Sequence, residues 1–328
     1  MPKLEGPYKA VGVRFVEIPG GCRAKVFYPA ESTEGLQDAP YCTDGRNTSD
    51  GMSGLVGFRQ LGLSFLLAHL ATAQSGCSLD APPVGKKFPL LVYSHGFGGN
   101  MDMATYLMRQ IASFGIVVAA LEHRDGTASR TVLANGLEQP FAPGLLSRSQ
   151  QLQRRASELL AATKPGVLGK DLDIDDSRVF LGGHSYGGPS ALLAASQAQS
   201  PPNSVKLAGL LLHDPALGMS RLDSFANRGS GCRLLSFTSD EYDRAGVRCG
   251  TTFHVKGGFH GNFVDAPLWA PLWVMRPLST VIPAAGPAEP GELHAMFART
   301  AAKFMDTGAV DMESLGQSES SLEPRQIT

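Results

Sequence analysis

Gly183-His184-Ser185-Tyr186-Gly187 constrains this chain more than any other stretch. The apolar run Arg178-Val179-Phe180-Leu181 before it reads as a buried strand. The run from Pro189 to Ala195 after it reads as a helix with proline in its first turn. A G-x-S-x-G turn between a strand and a helix presents its serine at the end of a sheet as a nucleophile. The turn strains the serine backbone, and side chains beside it would strike the adjoining strand and helix, so glycine stands at both ends. Without its flanks the pattern would be weak, because a chain with 38 glycines invites chance matches. The plain alternative is a glycine-rich turn with an idle serine.

Around this turn, strands and helices alternate. Residues 11–29 predict two strands with Gly20-Gly21 between them. Residues 31–54 are rich in Asp, Ser, Thr and Gly, as in an excursion. Residues 55–70 are strongly apolar and predict a helix. Strands are expected at 88–94, 116–121, 178–181, 207–212, 234–237 and 252–255. Helices are expected near 102–113, 147–162, 189–197 and 292–304. Mostly apolar strands separated by helices imply an α/β fold, with a largely parallel sheet covered on both faces. One domain over residues 1–305 is expected, with an excursion at about 31–86 and a flexible polar tail at 306–328.

A formal net charge of −1 supplies no basic field, which argues against a nucleic-acid partner. The five cysteines are scattered without a C-x-x-C pair, unlike a disulfide framework or a zinc knuckle, although a pair such as Cys232 and Cys249 could still bridge. The first residues lack the apolar core of a signal peptide, Pro2 is incompatible with N-myristoylation, and no apolar run is long enough to span a membrane. A cytoplasmic protein is the expectation. No cofactor or metal is expected, since no H-E-x-x-H or similar ligand spacing occurs.

A serine nucleophile needs a histidine to take its proton and an acid to orient that histidine. Downstream of Ser185 stand His213, His254, His260 and His294. His254 falls inside a predicted strand, His294 inside the last helix, and His213 at a strand end. His260 falls in the loop Gly257-Gly258-Phe259-His260-Gly261 beyond the last predicted strand, where catalytic side chains collect. It is the expected base. Asp214, ending the strand 207–213, is the expected acid, with Asp240-Glu241-Asp243 as its rival. The backbone N–H groups of Phe97, in His95-Gly96-Phe97-Gly98-Gly99, and of Tyr186 are the expected oxyanion donors. His123-Arg124-Asp125 spells a kinase triplet, but neither the following Asn nor an Asp-Phe-Gly appears. A structural role bonding backbone is expected instead.

With these segments placed, the chain resembles the platelet-activating factor acetylhydrolase family, in its plasma and intracellular type II branch, within the α/β-hydrolase superfamily. The likeness rests on Gly6-Pro7-Tyr8, on FPLLVYSHGFG (88–98), on IVVAALEHRD (116–125), on GHSYGG (183–188) and on HGNFVD (260–265). The resemblance implies a calcium-independent serine esterase that removes short or oxidised acyl groups from the sn-2 position of phospholipids. It also implies Ser185, Asp214 and His260 as triad, with Phe97 and Tyr186 as amide donors. Where the family has bulky residues after its aspartate, walling the acyl pocket, this chain has Pro215-Ala216, which leaves the acyl length open. A general carboxylesterase, a polyester hydrolase, a long-chain phospholipase and an inactive binding module are the alternatives. Family members work at lipid surfaces, so Leu66, Leu67, Trp269 and Trp273 are candidates either for a lipid interface or for the pocket wall.

Overall fold

The computed structural model describes residues 1–198, 200, 205–219, 232–281, 283–310 and 322–325. Its centre is an eleven-stranded sheet. Six strands run parallel in the order β12 (Thr251–Val255), β11 (Arg233–Thr238), β10 (Gly209–His213), β9 (Ile174–His184), β5 (Phe88–Ser94) and β6 (Val117–Glu122). Beyond β6 the sheet continues through the hairpin of β2 (Cys22–Pro29) and β1 (Val11–Ile18), then β4 (Gln74–Leu79) and β3 (Asp38–Pro40). Strands β5, β6 and β10 are buried along their whole length, as expected of strands covered on both faces. This is the expected α/β-hydrolase architecture.

Helices cover the two faces. Helix α1 spans Arg46–Leu55, α2 Thr105–Ala112, α3 Arg148–Ala162, α4 Gly187–Gln197, α5 Asp240–Arg244, α6 Leu272–Leu278 and α7 Pro290–Thr307. Helix α3 opens with a capping box in which Ser147 and Gln150 satisfy each other's backbone amides. Two large apolar clusters result. One holds Phe27, Phe237, Phe263 and Phe297, the other Val92, Leu181, Leu193 and Leu212.

The excursion departs from expectation. Its α-helix occupies 46–55 rather than 55–70. The apolar stretch instead forms turns and a 3-10 helix, Ser64–Thr72. Gly57 and Gly62 explain this, with φ of 78° and 70°, a left-handed backbone that interrupts any helix. A small hairpin, β7 (Arg130–Val132) with β8 (Glu138–Pro140), was not foreseen. Most of the expected flexible tail lies outside the described residues, but Leu322–Arg325 forms an edge strand, β13, antiparallel to β12. No helix among the described residues is long and apolar enough to cross a membrane.

Candidate active site

Strand β9 lies between β5 and β10, with Gly183 beside Ser94 and His184 beside His213. The chain then turns within two residues into α4. Ser185 sits in the turn with φ of 52°, a left-handed conformation that costs a side-chain-bearing residue about 1–2 kcal/mol. Its N–H donates to the His213 carbonyl at 3.0 Å, and its own carbonyl accepts from Ala216 N–H at 3.0 Å. Close packing explains both flanking glycines. A Cβ on Gly183 would overlap the Gly187 backbone, and one on Gly187 would overlap the Ser94 carbonyl. Pro215 packs against Gly188 of this turn, and neither Pro215 nor Ala216 lines the cavity. Where the family's bulky residues would wall the pocket, Pro215 braces the turn instead.

Asp214 follows β10 directly and also holds a positive φ, 46°. It is fully buried. One carboxylate oxygen accepts the Ser239 N–H at 2.7 Å and the other lies 2.5 Å from His260 Nδ1. His260 opens a short 3-10 segment after β12. Its ring lies between His184, with centroids 4.5 Å apart, and Tyr242, stacked at 5.1 Å. Burial pushes His184 well below the usual histidine range, so that ring is neutral at pH 7. Burial pushes the Tyr242 phenol up to about 12, with the Asp214 charge adding to the rise. Ser185 and His260 line one cavity. Two of the three rival acids are engaged elsewhere: Asp240 lies 2.8 Å from His254 Nε2, and Asp243 is 2.9 Å from Arg248.

Phe97 also lines the cavity, and Tyr186 stands immediately before the N-terminus of α4. Among the described residues no hydrogen-bond partner is found for the backbone N–H of either. The next two amides of the loop are used, Gly98 N–H to the Thr127 carbonyl at 2.8 Å and Gly99 N–H to the Gly96 carbonyl at 3.1 Å. Gly96 faces Ser185 closely, since a Cβ there would lie 3.0 Å from the Ser185 Cβ. Such an arrangement can bind an oxyanion beside an activated serine.

The cavity is walled by Val56, Met101, Met103, Val264 and Trp269. Of the four candidate pocket or interface residues, Trp269 is in the wall and Leu67 is in the core. Leu66 and Trp273 are 44% and 78% exposed. Trp269 Nε1–H donates to the Tyr41 hydroxyl at 2.8 Å, which in turn donates to Asp265 at 3.1 Å. The expectation of backbone bonding for His123-Arg124-Asp125 holds for Arg124, which donates to the Val132 and Gly21 carbonyls, and for Asp125, which accepts the Thr127 N–H at 2.9 Å. His123 instead bonds Ser94 Oγ and Glu158, and Asp125 also pairs with Arg155. All five cysteines are free.

Tyr242, His184 and the wall methionines stand outside the site residues expected from the sequence. His184 carried a usable signal, since the residue before the nucleophile must lie beside the sheet's end. Tyr242 carried none, because it reaches His260 only through the turn of α5.

Comparison with known proteins agrees with this architecture. Residues 1–163 match the family model described as platelet-activating factor acetylhydrolase, isoform II. A platelet-activating factor acetylhydrolase of Canis lupus familiaris is 26% identical over 235 residues, covering 61% of this chain and 52% of that protein. One of Cavia porcellus is 27% identical over 316 residues, covering 81% and 69%. The match thus spans about half the length of the canine relative. Among solved structures, a ferulic acid esterase from Streptomyces cinnamoneus superposes with a TM-score of 0.69 over 98% of both chains at 18% identity, a likeness of fold.

Proposed function

We propose, from the match of residues 1–163 to the platelet-activating factor acetylhydrolase family and the likeness to its curated relatives, that this chain is a serine carboxylic-ester hydrolase acting on the sn-2 acyl ester of platelet-activating factor-like phospholipids. The observation that carries the reading is the pairing of His260 Nδ1 with buried Asp214 at 2.5 Å, in the cavity that Ser185 lines. In this reading His260 takes the Ser185 proton through Nε2 as Oγ attacks the ester carbonyl carbon. Asp214 holds the ring with Nε2 unprotonated and offsets the imidazolium charge that forms. The Phe97 and Tyr186 amides receive the oxyanion. The imidazolium returns its proton to the departing lysolipid oxygen, leaving an acyl-Ser185 ester. Water, deprotonated by His260, then releases the acid.

The acyl chain would lie among Met101, Met103, Val264 and Trp269. The apolar lining continues past these residues to Leu55, Val56 and Pro283, which favours a second reading with longer acyl chains or a broader carboxylesterase. Leu66 and Trp273, both exposed, are the residues proposed to contact a lipid surface. Hydrolysis of acetyl, hexanoyl and palmitoyl esters, as monomers and on vesicles, separates these readings. The Ser185→Ala variant should lose at least about 10⁴-fold in kcat and all fluorophosphonate labelling. Labelling that persists in this variant would place the nucleophile elsewhere.

A further inference from the structure

Behind the loop 95–99, on the side away from the cavity, lies a guanidinium that the chemistry above does not use. Arg155 of α3 has a side chain with 0% exposure. A buried cation is tolerated when its donors are engaged, and the ion pair with Asp125 (Nε to Oδ2, 2.8 Å) already balances its charge. Its remaining arms reach the loop. Nη1 donates to the His95 carbonyl at 2.7 Å and to Ser94 Oγ at 3.2 Å, and Nη2 donates to Thr127 Oγ1. The guanidinium also lies 5.0 Å from the ring centre of Tyr186, whose amide is the second oxyanion donor.

Peptide planarity turns these contacts into a direction. In a trans peptide C=O and N–H point opposite ways, so fixing one fixes the other. The Gly96 carbonyl is held by His95 Nδ1 at 2.7 Å and by Gly99 N–H, which sets the heading of Phe97 N–H. The His95 carbonyl before it is held by Arg155. On the far side of the loop, Gly98 N–H bonds the carbonyl of Thr127, the residue whose hydroxyl Arg155 also holds. One side chain therefore grips the loop on both sides of Phe97.

We propose that Arg155 is a positioning residue for the oxyanion hole, aiming the Phe97 amide by holding the His95 carbonyl and Thr127. The inference rests on the hydrolytic reading above. One oxyanion donor is worth about 10²–10³ in kcat, which bounds the effect of misaiming it. Arg155→Lys keeps the charge opposite Asp125 but cannot span the two Nη positions. It should lower kcat about 10–100-fold while KM changes less than about threefold, and a trifluoromethyl ketone inhibitor should weaken in proportion to kcat/KM. Thr127→Val, which leaves the ion pair intact, should show a smaller loss in the same direction. Amide hydrogen exchange of the 95–99 segment should quicken in both variants, whether or not any ester is turned over. A folded Arg155→Lys enzyme with kcat within about twofold of wild type, or with its loss confined to KM, overturns the proposal. If Arg155→Lys does not fold, Thr127→Val decides, and unchanged kcat with unchanged exchange overturns it. A wild-type protein that hydrolyses no ester overturns the functional reading instead, and the exchange measurement still tests the grip of Arg155.

Discussion

The sheet side of the cavity and its outer wall hold their residues in different ways. On the sheet side, Ser185 and Asp214 stand at adjoining strand ends with left-handed φ values, and backbone contacts fix them: Ser185 N–H to the His213 carbonyl, Asp214 N–H to the Phe237 carbonyl. Glycines there are packed so closely that an added methyl has no room. The wall is assembled from short 3-10 turns and helices in residues 46–72 and 260–278, held by side chains such as the Trp269–Tyr41–Asp265 chain. Strand register fixes position to a fraction of an ångström, whereas side-chain packing fixes volume. Chemistry is therefore built where tolerance is least, and substrate selection where exchange of one apolar group for another costs little.

The sharpest break between the two regions is expected at the acid. Asp214→Asn preserves the shape of a buried group that accepts the Ser239 amide but presents His260 in the wrong tautomer, so kcat should fall about 10⁴-fold with the fold retained. Asp240→Asn, in the rival cluster only 26 residues on, should leave kcat within about twofold, because Asp240 serves His254 and the Gly257 amide. Steady-state kinetics on one soluble ester decide this. Equal losses in the two variants would mean that the acid role is shared and the strand-end argument fails.

A smaller contrast lies within the wall, between tryptophans four residues apart. Trp269 is 1% exposed and carries a buried hydrogen bond, so Trp269→Ala should destabilise by about 3–5 kcal/mol and change acyl-length preference. Trp273→Ala removes a ring that is 78% exposed and should alter stability by less than about 0.5 kcal/mol while weakening vesicle binding. Denaturant unfolding and vesicle sedimentation measure the two effects. A Trp273→Ala variant that binds vesicles as wild type does removes this residue from any lipid contact.

The same division decides what could be read from the sequence. The elbow was legible because its backbone demands glycine, and the central strands because burial on both faces demands unbroken apolar runs. The pairing of His260 with Asp214 was legible, His260 by elimination among four histidines and Asp214 by its place at the tip of β10. Apart from Trp269, the wall was not legible. Residues 55–70 are predominantly apolar, with Arg59, Gln60, Ser64 and His69 on no common helical face, so no face is marked, and the glycines that break the helix read as ordinary loop residues. Helix α1 forms from RNTSDGMSGL, a poor helix-former by propensity, because Gly51 lets it seat against Ser129 and Arg130. Trp269 and Trp273 occupy one proline-broken stretch without a period, and only tertiary packing turns one inward and the other out. Tyr242 and the grip of Arg155 depend on contacts between residues far apart in the chain, which local patterning does not encode.

The weakest expected effect concerns the wall's buried acid. Asp265 is fully buried, accepting Tyr106 N–H at 2.8 Å, Leu107 N–H at 3.3 Å and the Tyr41 hydroxyl. Burial outweighs these donors and pushes its carboxyl up to about 7. An unfolded aspartate loses its proton near pH 4, so between about pH 4 and pH 7 the folded chain holds a proton that the unfolded chain has released. The stability contributed by that proton is complete below about pH 4 and is lost as pH rises through 7. Nearby His294, pushed down to about 4 by burial, acts in the opposite sense, losing stability as pH falls, and does so in both proteins compared. Asp265→Asn keeps an acceptor for the amides and removes the titration. The Tm of wild type minus that of the variant should therefore decline from acid toward neutral pH, a drift of a few degrees spread over about three pH units. A difference that stays flat, or grows with pH, would show that Asp265 is ionised in the folded wall and that its donors, rather than its burial, set its charge.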